Sequence, residues 1–201
     1  MDLVLNSKEL KFLQDTEFLK TKHDINLKIH HILNEVEWRL QGYIKSQGLV
    51  FPEKVLMKGG KISKGENYHL LPYMILDYPR YFHYEAVFAF RTMFLWGSFF
   101  SCTLHLQGKY LELFRKGIAE KISSLLGQKF YIAVSSTPWE YHYHEDNYKL
   151  IDNISSTYLL KMIESNSFIK MSRNIDILEY QRLPQFSEET FGLLMKCLHI
   201  Q

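Results

Sequence analysis

One eleven-residue segment concentrates the side-chain types that bind divalent metal ions. Residues 138–148 read PWEYHYHEDNY, in which Glu140, His142, His144 and Asp146 fall on alternate positions. Imidazole nitrogens and carboxylate oxygens are suitable ligands for zinc, iron or manganese. In an extended strand, residues two apart share a face, so the four side chains would line one side. A metal-dependent hydrolase could then use His142 and His144 as ligands, with Glu140 or Asp146 as ligand or general base.

The same alternation is also typical of a strand at the solvent-exposed edge of a sheet. Such a strand turns its aromatic side chains inward and its polar side chains into water. The segment contains no HExxH motif, and short matches of this kind often arise by chance. The solvent-exposed strand is therefore the favoured interpretation. A metal site additionally requires a third donor, for which His69, His83 and His105 are available.

A second concentration of chemistry lies in residues 68–84, YHLLPYMILDYPRYFHY, which are rich in tyrosine. Tyrosine and arginine are enriched in recognition surfaces, so this stretch predicts a binding rim for a small molecule or a protein partner. The alternative is a strand that ends in a tight turn over Asp77–Arg80. The candidate ligand-binding residues are Tyr68, His69, Tyr73, Asp77, Arg80 and His83, together with Arg91 and His105 from the next segment.

Arg91 is the single formal charge in the apolar stretch from Ala86 to Leu106. Because an unpaired buried charge is costly, we expect it to pair with Asp77 or Glu85. The alternative is a bidentate contact with an anionic ligand. The stretch is long enough to cross a bilayer, but an arginine at its centre would cost about 2.5–3.5 kcal/mol. Alternation explains the stretch better as two strands, and we expect no membrane span.

Gly97-Ser98 predicts a two-residue hairpin turn between those strands. That turn would place Trp96 opposite Phe99 and Phe90 opposite His105. One face of the hairpin would then mix aromatic rings with hydroxyls and a histidine, as a ligand pocket does. A slip of one residue would exchange the faces of one strand. The mixed face would comprise Phe90, Thr92, Phe94 and Trp96 with Phe99, Ser101, Thr103 and His105.

The elements that position these residues alternate in type along the chain. Apolar spacing of three and four predicts an N-terminal helix that starts near Ser7 and a second helix that begins after Asp24 and ends at Gly48. A Gly/Lys loop is predicted over residues 54–66. The further predictions are strands over 73–78, 86–96, 99–106, 130–134 and 168–178, and helices over 110–126, after Ser155 or Ser156, and after Ser187. The tight turn favours antiparallel pairing, so the predicted fold is α+β: an antiparallel sheet with N-terminal helices, a central helix and a C-terminal helix packed on it.

Composition and charge narrow the classes of protein. The 201 residues are expected to form one globular domain, 1–201, with a helical region over 1–50 and mixed sheet and helix over 66–201. A formal charge of +2 argues against a nucleic-acid-binding protein. Cys102 and Cys197 lie in apolar runs and are predicted to be buried free thiols. The N-terminus lacks the pattern of a signal peptide, and the expected location is cytoplasmic.

Three functional hypotheses follow. The leading one is a ligand- or partner-binding domain that uses an aromatic surface bearing histidine and arginine. The second is the metal-dependent hydrolase with His142 and His144, which would need a divalent metal. The third is a structural module that forms a homo-oligomer through exposed aromatic residues.

Overall fold

A computed structural model describes residues 3–56 and 58–200, which form one seven-stranded antiparallel sheet and five α-helices. The strands lie in the order β1-β2-β3-β4-β7-β5-β6. They are β1 Lys61–Tyr68, β2 Leu71–His83, β3 Ala86–Leu95, β4 Phe99–Gln107, β5 Tyr131–Ala133, β6 Tyr148–Leu150 and β7 Phe168–Asp176. The helices are α1 Ser7–Leu13, α2 Thr16–Gln47, α3 Lys109–Lys121, α4 Ser156–Ser165 and α5 Leu183–Cys197. The predicted α+β class and the antiparallel sheet are confirmed.

Helices α2, α3 and α5 pack on one face of the sheet and form the main core with it. The buried stripe of α2 runs from Ile29 through Leu33 and Val36 to Leu40 and Ile44. The prediction that this helix starts after Asp24 is wrong. It starts at Thr16, where the Asp15 carboxylate accepts a hydrogen bond from the backbone N–H of Phe18 at 2.9 Å. A capping side chain, and not the first buried residue, sets the start of the helix.

Two further element boundaries differ from the sequence predictions. Residues 61–66 of the predicted Gly/Lys loop belong to β1, an edge strand whose exposed lysines hid its pattern, since lysine is common on edge strands. Ser187 does not cap the last helix. It lies buried inside α5, where its hydroxyl is 3.1 Å from that of Thr92 on β3. The cap predicted at Ser155 is present, because its hydroxyl accepts from the Tyr158 N–H.

The hairpin of β3 and β4 is shifted by one residue from the predicted register. Leu95 pairs with Phe99, so the connection has three residues, with Gly97 in the left-handed region at a φ of 66°. Phe90 therefore pairs with Leu104 and not with His105. The predicted mixed face does not form, because the slip moves Phe90, Thr92, Phe94 and Trp96 to the helix-covered side. Arg91 now shares the opposite, open face with Met93 and with Ser101, Thr103 and His105 of β4.

Strand β2 does not end at Tyr78, as predicted, but continues to His83. Asp77 pairs with Arg91 and Arg80 with Ala89, so β2 has one residue more than β3 between these pairs. This bulge contains the cis Tyr78-Pro79 peptide. An extra residue reverses the alternation of a strand. Asp77 and Arg80 consequently lie on the same open face.

The apolar stretch from Ala86 to Leu106 forms strands and not a membrane helix. Over residues 3–56 and 58–200, no helix is long and apolar enough to cross a bilayer. Both cysteines are buried free thiols, as predicted. Burial raises the pKa of the Cys102 thiol to about 11 and that of Cys197 to about 12. Neither thiol is therefore ionised near neutral pH.

Candidate functional site

Residues 134–147, which connect β5 to β6, lie across the open face of the sheet and are named here the cover segment. Trp139, Tyr141 and Tyr143 turn their rings toward the sheet. The Trp139 ring lies 5.7 Å from that of His105, and the Tyr143 ring 5.1 Å from that of Phe99. The predicted strand over this region is wrong, because residues 135–146 form no strand pairing with the sheet. The alternation of aromatic and polar residues persists without a strand.

Side chains take the place of a strand ladder in holding the cover segment. The Tyr68 hydroxyl accepts hydrogen bonds from the backbone N–H groups of Tyr141 at 2.7 Å and His142 at 3.0 Å. It donates to Oε2 of Glu140 at 2.9 Å. Burial first, and then Glu140, raise the pKa of Tyr68 to about 12 despite the two N–H donors. The hydroxyl therefore stays protonated, and it is the principal attachment between the β1–β2 hairpin and the cover segment.

Lys170 on β7 supports the cover segment from below. Its side chain is buried, and Nζ donates to the backbone carbonyl of Glu140 at 2.6 Å. Nζ also lies 4.6 Å from the ring centre of Tyr141 and 5.2 Å from that of Tyr148. Burial, followed by the charge of Arg91, lowers the pKa of Lys170 to about 7. Sequence reasoning missed this residue, although Lys170 is the one charge among the first five residues of β7 and would have indicated a polar open face.

A buried polar cluster lies beside Lys170. The hydroxyls of Thr103 and Ser172 are 2.6 Å apart, and the Tyr143 hydroxyl also bonds to Ser172. His105 lies here, covered by Trp139, and not on an accessible surface as predicted. Burial first, then the charges of Lys170 and Arg91, lower the pKa of His105 to about 3. Because its pKa is so low, the imidazole is neutral near pH 7, and within the described part of the chain its Nε2 has no hydrogen-bond partner.

A groove of about 530 Å³ opens between the β1–β2 edge of the sheet and the cover segment. Of the eight predicted ligand-binding residues, five line it and three do not. The five are Tyr68, Tyr73, Asp77, Arg80 and Arg91; the other lining residues are Lys61, Ser63, Asn67, Ile75, Phe82, Met93, Trp139 and Tyr141. His69 lies at the hairpin turn, His105 lies beneath Trp139, and His83 lies at the exposed end of β2.

Arg91 at the base of this groove makes the ion pair predicted with Asp77. Its Nε and Nη2 bind the two carboxylate oxygens at 2.7 and 2.9 Å, and Nη1 donates to the Tyr141 hydroxyl. Burial opposes the charge of Arg91, but the hydrogen bonds and charge of Asp77 outweigh it and raise the pKa of Arg91. A guanidinium already bound on three sides has little capacity left for a ligand.

Two other cations in the groove are not neutralised in this way. Lys61 and Arg80 line it, and no carboxylate of the described residues lies within 4.0 Å of either side-chain charge. Arg80 is held by one hydrogen bond, from Nε to the backbone carbonyl of Gly59 at 3.2 Å. Since Arg91 and Asp77 cancel, the groove carries a surplus of two positive charges.

Gly65 allows an aromatic wall to form on the same groove. A Cβ atom at this position would lie 2.4 Å from the Tyr73 ring, well inside van der Waals contact. The Tyr73 ring therefore lies directly across the backbone of β1. The Tyr68 ring lies 6.5 Å from that of Tyr73 and 5.5 Å from that of Tyr141. The result is a row of aromatic rings on the same groove as the two cations.

The outer side of the cover segment gathers the predicted metal ligands around His142. Nε2 of His69 lies 3.1 Å from Oε2 of Glu140, and Nε2 of His142 lies 3.7 Å from the same oxygen. On its other side, Nδ1 of His142 lies 3.9 Å from Oδ1 of Asp146, and the His144 ring lies 4.8 Å from the His142 ring. The structure thus divides the predicted set into two groups that share His142: His69–Glu140–His142 and His142–His144–Asp146.

Comparison with known proteins adds no precedent for either the groove or the histidine groups. No family model, curated protein or solved structure matches this chain. The functional assignment therefore rests on the geometry of the site.

Proposed function

We propose that this protein binds a small anionic ligand with a planar apolar part in the groove beside the cover segment. The observation that carries the proposal is the position of Lys61 and Arg80, two cations without a carboxylate partner, on the same groove as a row of aromatic rings. A volume of about 530 Å³ lies within the roughly 300–1,000 Å³ typical of small-molecule sites.

The charges favour an anion as the ligand. Arg91 and Asp77 neutralise each other, so a cationic ligand would meet two uncompensated positive side chains and no free carboxylate among the lining residues. A carboxylate or phosphate group would instead be attracted by both. Arg80 still has its Nη groups, which form the planar fork that matches these anions.

The aromatic lining favours a planar apolar group next to the anion. Tyr68, Tyr73 and Tyr141 form the row, and Trp139 closes the opposite side with half of its surface exposed. Aromatic walls with a few placed polar groups are the common composition of ligand sites. Ring stacking would orient such a ligand, while the cations would fix its charged end.

Isothermal titration with matched compounds tests this proposal. Phenyl phosphate and benzoate carry both parts, whereas inorganic phosphate and phenol carry one part each. We expect the two-part compounds to bind with a Kd of roughly 1 mM or below, at least about tenfold tighter than either single part. Equal affinity for phenyl phosphate and phosphate would contradict the aromatic half of the proposal, and no binding of any anion would contradict the whole.

A pair of lysines on one strand provides the matched control. Lys61 faces the groove, while Lys64 lies on the opposite face of β1, where it pairs with Met74. Lys61→Gln should weaken phenyl phosphate binding roughly 3- to 10-fold, as expected for one partly exposed charge. Lys64→Gln should leave it unchanged, and equal losses from both would show only a general charge effect.

The hydrolase and the oligomerising module stay predictions. The histidine groups lie on the outer side of the cover segment and do not line the groove. A reaction at the groove would therefore need another catalytic group.

A further inference from the structure

We propose that His69, Glu140 and His142 form a binding site for a divalent transition-metal ion such as zinc. The three side chains come from two segments: His69 from the β1–β2 turn, and Glu140 and His142 from the cover segment. Two imidazoles and one carboxylate are a common zinc-binding set that leaves a fourth position for water. A metal here would join the hairpin to the segment that borders the groove.

The distances between the donor atoms are close to those that a metal requires. With bonds of about 2.0–2.1 Å, two ligands of a tetrahedral ion lie roughly 3.3 Å apart. The separations from Oε2 of Glu140 are 3.1 Å to His69 and 3.7 Å to His142, and all three atoms lie within 4.8 Å of one another. Small side-chain rotations would therefore complete the site without a change in the backbone.

One outer hydrogen bond is already in position to orient a ligand, and a possible second partner lies close by. The Tyr68 hydroxyl donates to the Glu140 carboxylate. Nδ1 of His142 is buried and has no hydrogen-bond partner among the described residues, although Oδ1 of Asp146 lies 3.9 Å away. A metal on Nε2 would leave the proton on Nδ1, and the exposed Asp146 side chain would have to approach closer than its present 3.9 Å to accept it. Carboxylate–histidine–metal arrangements of this kind are usual around bound zinc.

The backbone at His69 provides an independent observation. His69 and the following Leu70 both have positive φ, 49° and 68°. Turns of this type favour asparagine, aspartate or glycine, and histidine is also enriched at positive φ. The turn therefore accommodates a histidine without unusual strain, and it places Nε2 of His69 3.1 Å from Oε2 of Glu140.

The competing group of His142, His144 and Asp146 is less suited to a metal. Its three donors come from one five-residue stretch, and His144 and Asp146 are exposed. Asp146 serves better as the outer partner of His142. Removing His69 or His144 therefore distinguishes the two groups.

The test uses untagged protein, freed of metal with EDTA, and titrates it with Zn²⁺ by calorimetry and with Co²⁺ by visible absorption. The wild-type protein should bind one ion, and Co²⁺ should give the intense d–d bands of a four-coordinate site. His69→Asn should weaken Zn²⁺ binding by more than the roughly 10–100-fold that loss of an outer partner costs. Asparagine tolerates positive φ, so the turn is preserved. His144→Asn, the matched control, should change affinity less than about threefold.

Three outcomes would overturn the proposal. They are no stoichiometric Zn²⁺ binding by the wild-type protein, full binding by His69→Asn, and loss of binding in His144→Asn with retention in His69→Asn. Lys61 begins β1, whereas His69 follows the last residue of that strand, and Lys61 is not one of the three ligands. Lys61→Gln should therefore leave the Zn²⁺ affinity unchanged, so the metal site and the anion site can fail independently.

Discussion

Replacement of Tyr68 by phenylalanine should loosen the cover segment without unfolding the sheet. The change removes one oxygen and keeps the ring that packs near Tyr73 and Tyr141. It deletes two bonds accepted from backbone N–H groups and one donated to the Glu140 carboxylate. The cover segment has no strand ladder to compensate for this loss.

The size of the effect follows from these three bonds. Each neutral hydrogen bond contributes about 0.5–1.5 kcal/mol. A hydrogen bond to a charged acceptor contributes about 1.5–3 kcal/mol. The bond to Glu140 belongs at the lower end of that range, because this side chain is 36% exposed and its charge is partly screened by solvent. The sum is about 2.5–4.5 kcal/mol in the free energy of opening the segment. Since about 1.4 kcal/mol is tenfold, amide protection should fall roughly 60- to 1,600-fold if the segment opens as one unit.

Hydrogen exchange measured by NMR gives the assay. The informative amides are those of Val134, Asn147 and Tyr148, which bond within or beside the cover segment and not to Tyr68 itself. They should exchange faster in Tyr68→Phe, while the amides of the β3–β4 pair should not. Tyr84→Phe is the control, because that tyrosine is 82% exposed. Exchange at the three amides within about threefold of the wild-type rate would refute the role assigned to Tyr68.

Three further predictions concern the open face of the sheet. Asp77→Ala should destabilise the protein by about 2–4 kcal/mol in urea unfolding, because Arg91 keeps a largely buried charge without its partner. Adding Arg91→Met to Asp77→Ala should recover much of that loss. A double variant as unstable as Asp77→Ala alone would argue against the ion pair. The folded-state pKa of His105 is about 3 and its ordinary value is 6.5, so the stability gained by burying the neutral imidazole is fully present above pH 6.5 and is lost as pH falls toward 3. The free energy of unfolding should fall by on the order of 3 kcal/mol at pH 4. His105→Gln should flatten this part of the stability–pH curve, and an unchanged curve would contradict the burial of a neutral imidazole. Gly65→Ala should displace the Tyr73 ring and weaken phenyl phosphate binding with a smaller effect on the melting temperature, whereas unaltered binding would show that this ring is not part of the site.

The sequence predicted those elements whose signals are local. Ser155 caps α4, Gly48 ends α2 in the left-handed region, and the alternating apolar runs on either side of Gly97 form β3 and β4. Capping and turn residues act within a few positions, so their effects can be read without knowledge of the fold. The partner of Arg91 was also correctly included, since a buried charge requires a carboxylate nearby.

Long-range contacts determine the features that the sequence did not predict. The cover segment alternates like a strand, yet its N–H groups bond to Tyr68 and one of its carbonyls to Lys170, more than twenty residues away in each case. The bulge at Pro79 and the three-residue turn at Gly97 each shift a strand by one position. Such a shift changes which side chains share a face, and hence which residues line the groove.

Binding of an anion attached to a planar apolar group in the groove can be followed by NMR titration of ¹⁵N-labelled protein with phenyl phosphate. We expect saturable shift changes concentrated at Lys61, Tyr73, Arg80 and Tyr141, and we expect them to be reduced in Lys61→Gln and preserved in Lys64→Gln. Shift changes centred on the helix-covered face, or none at these four residues at saturating phenyl phosphate, would contradict binding in the groove.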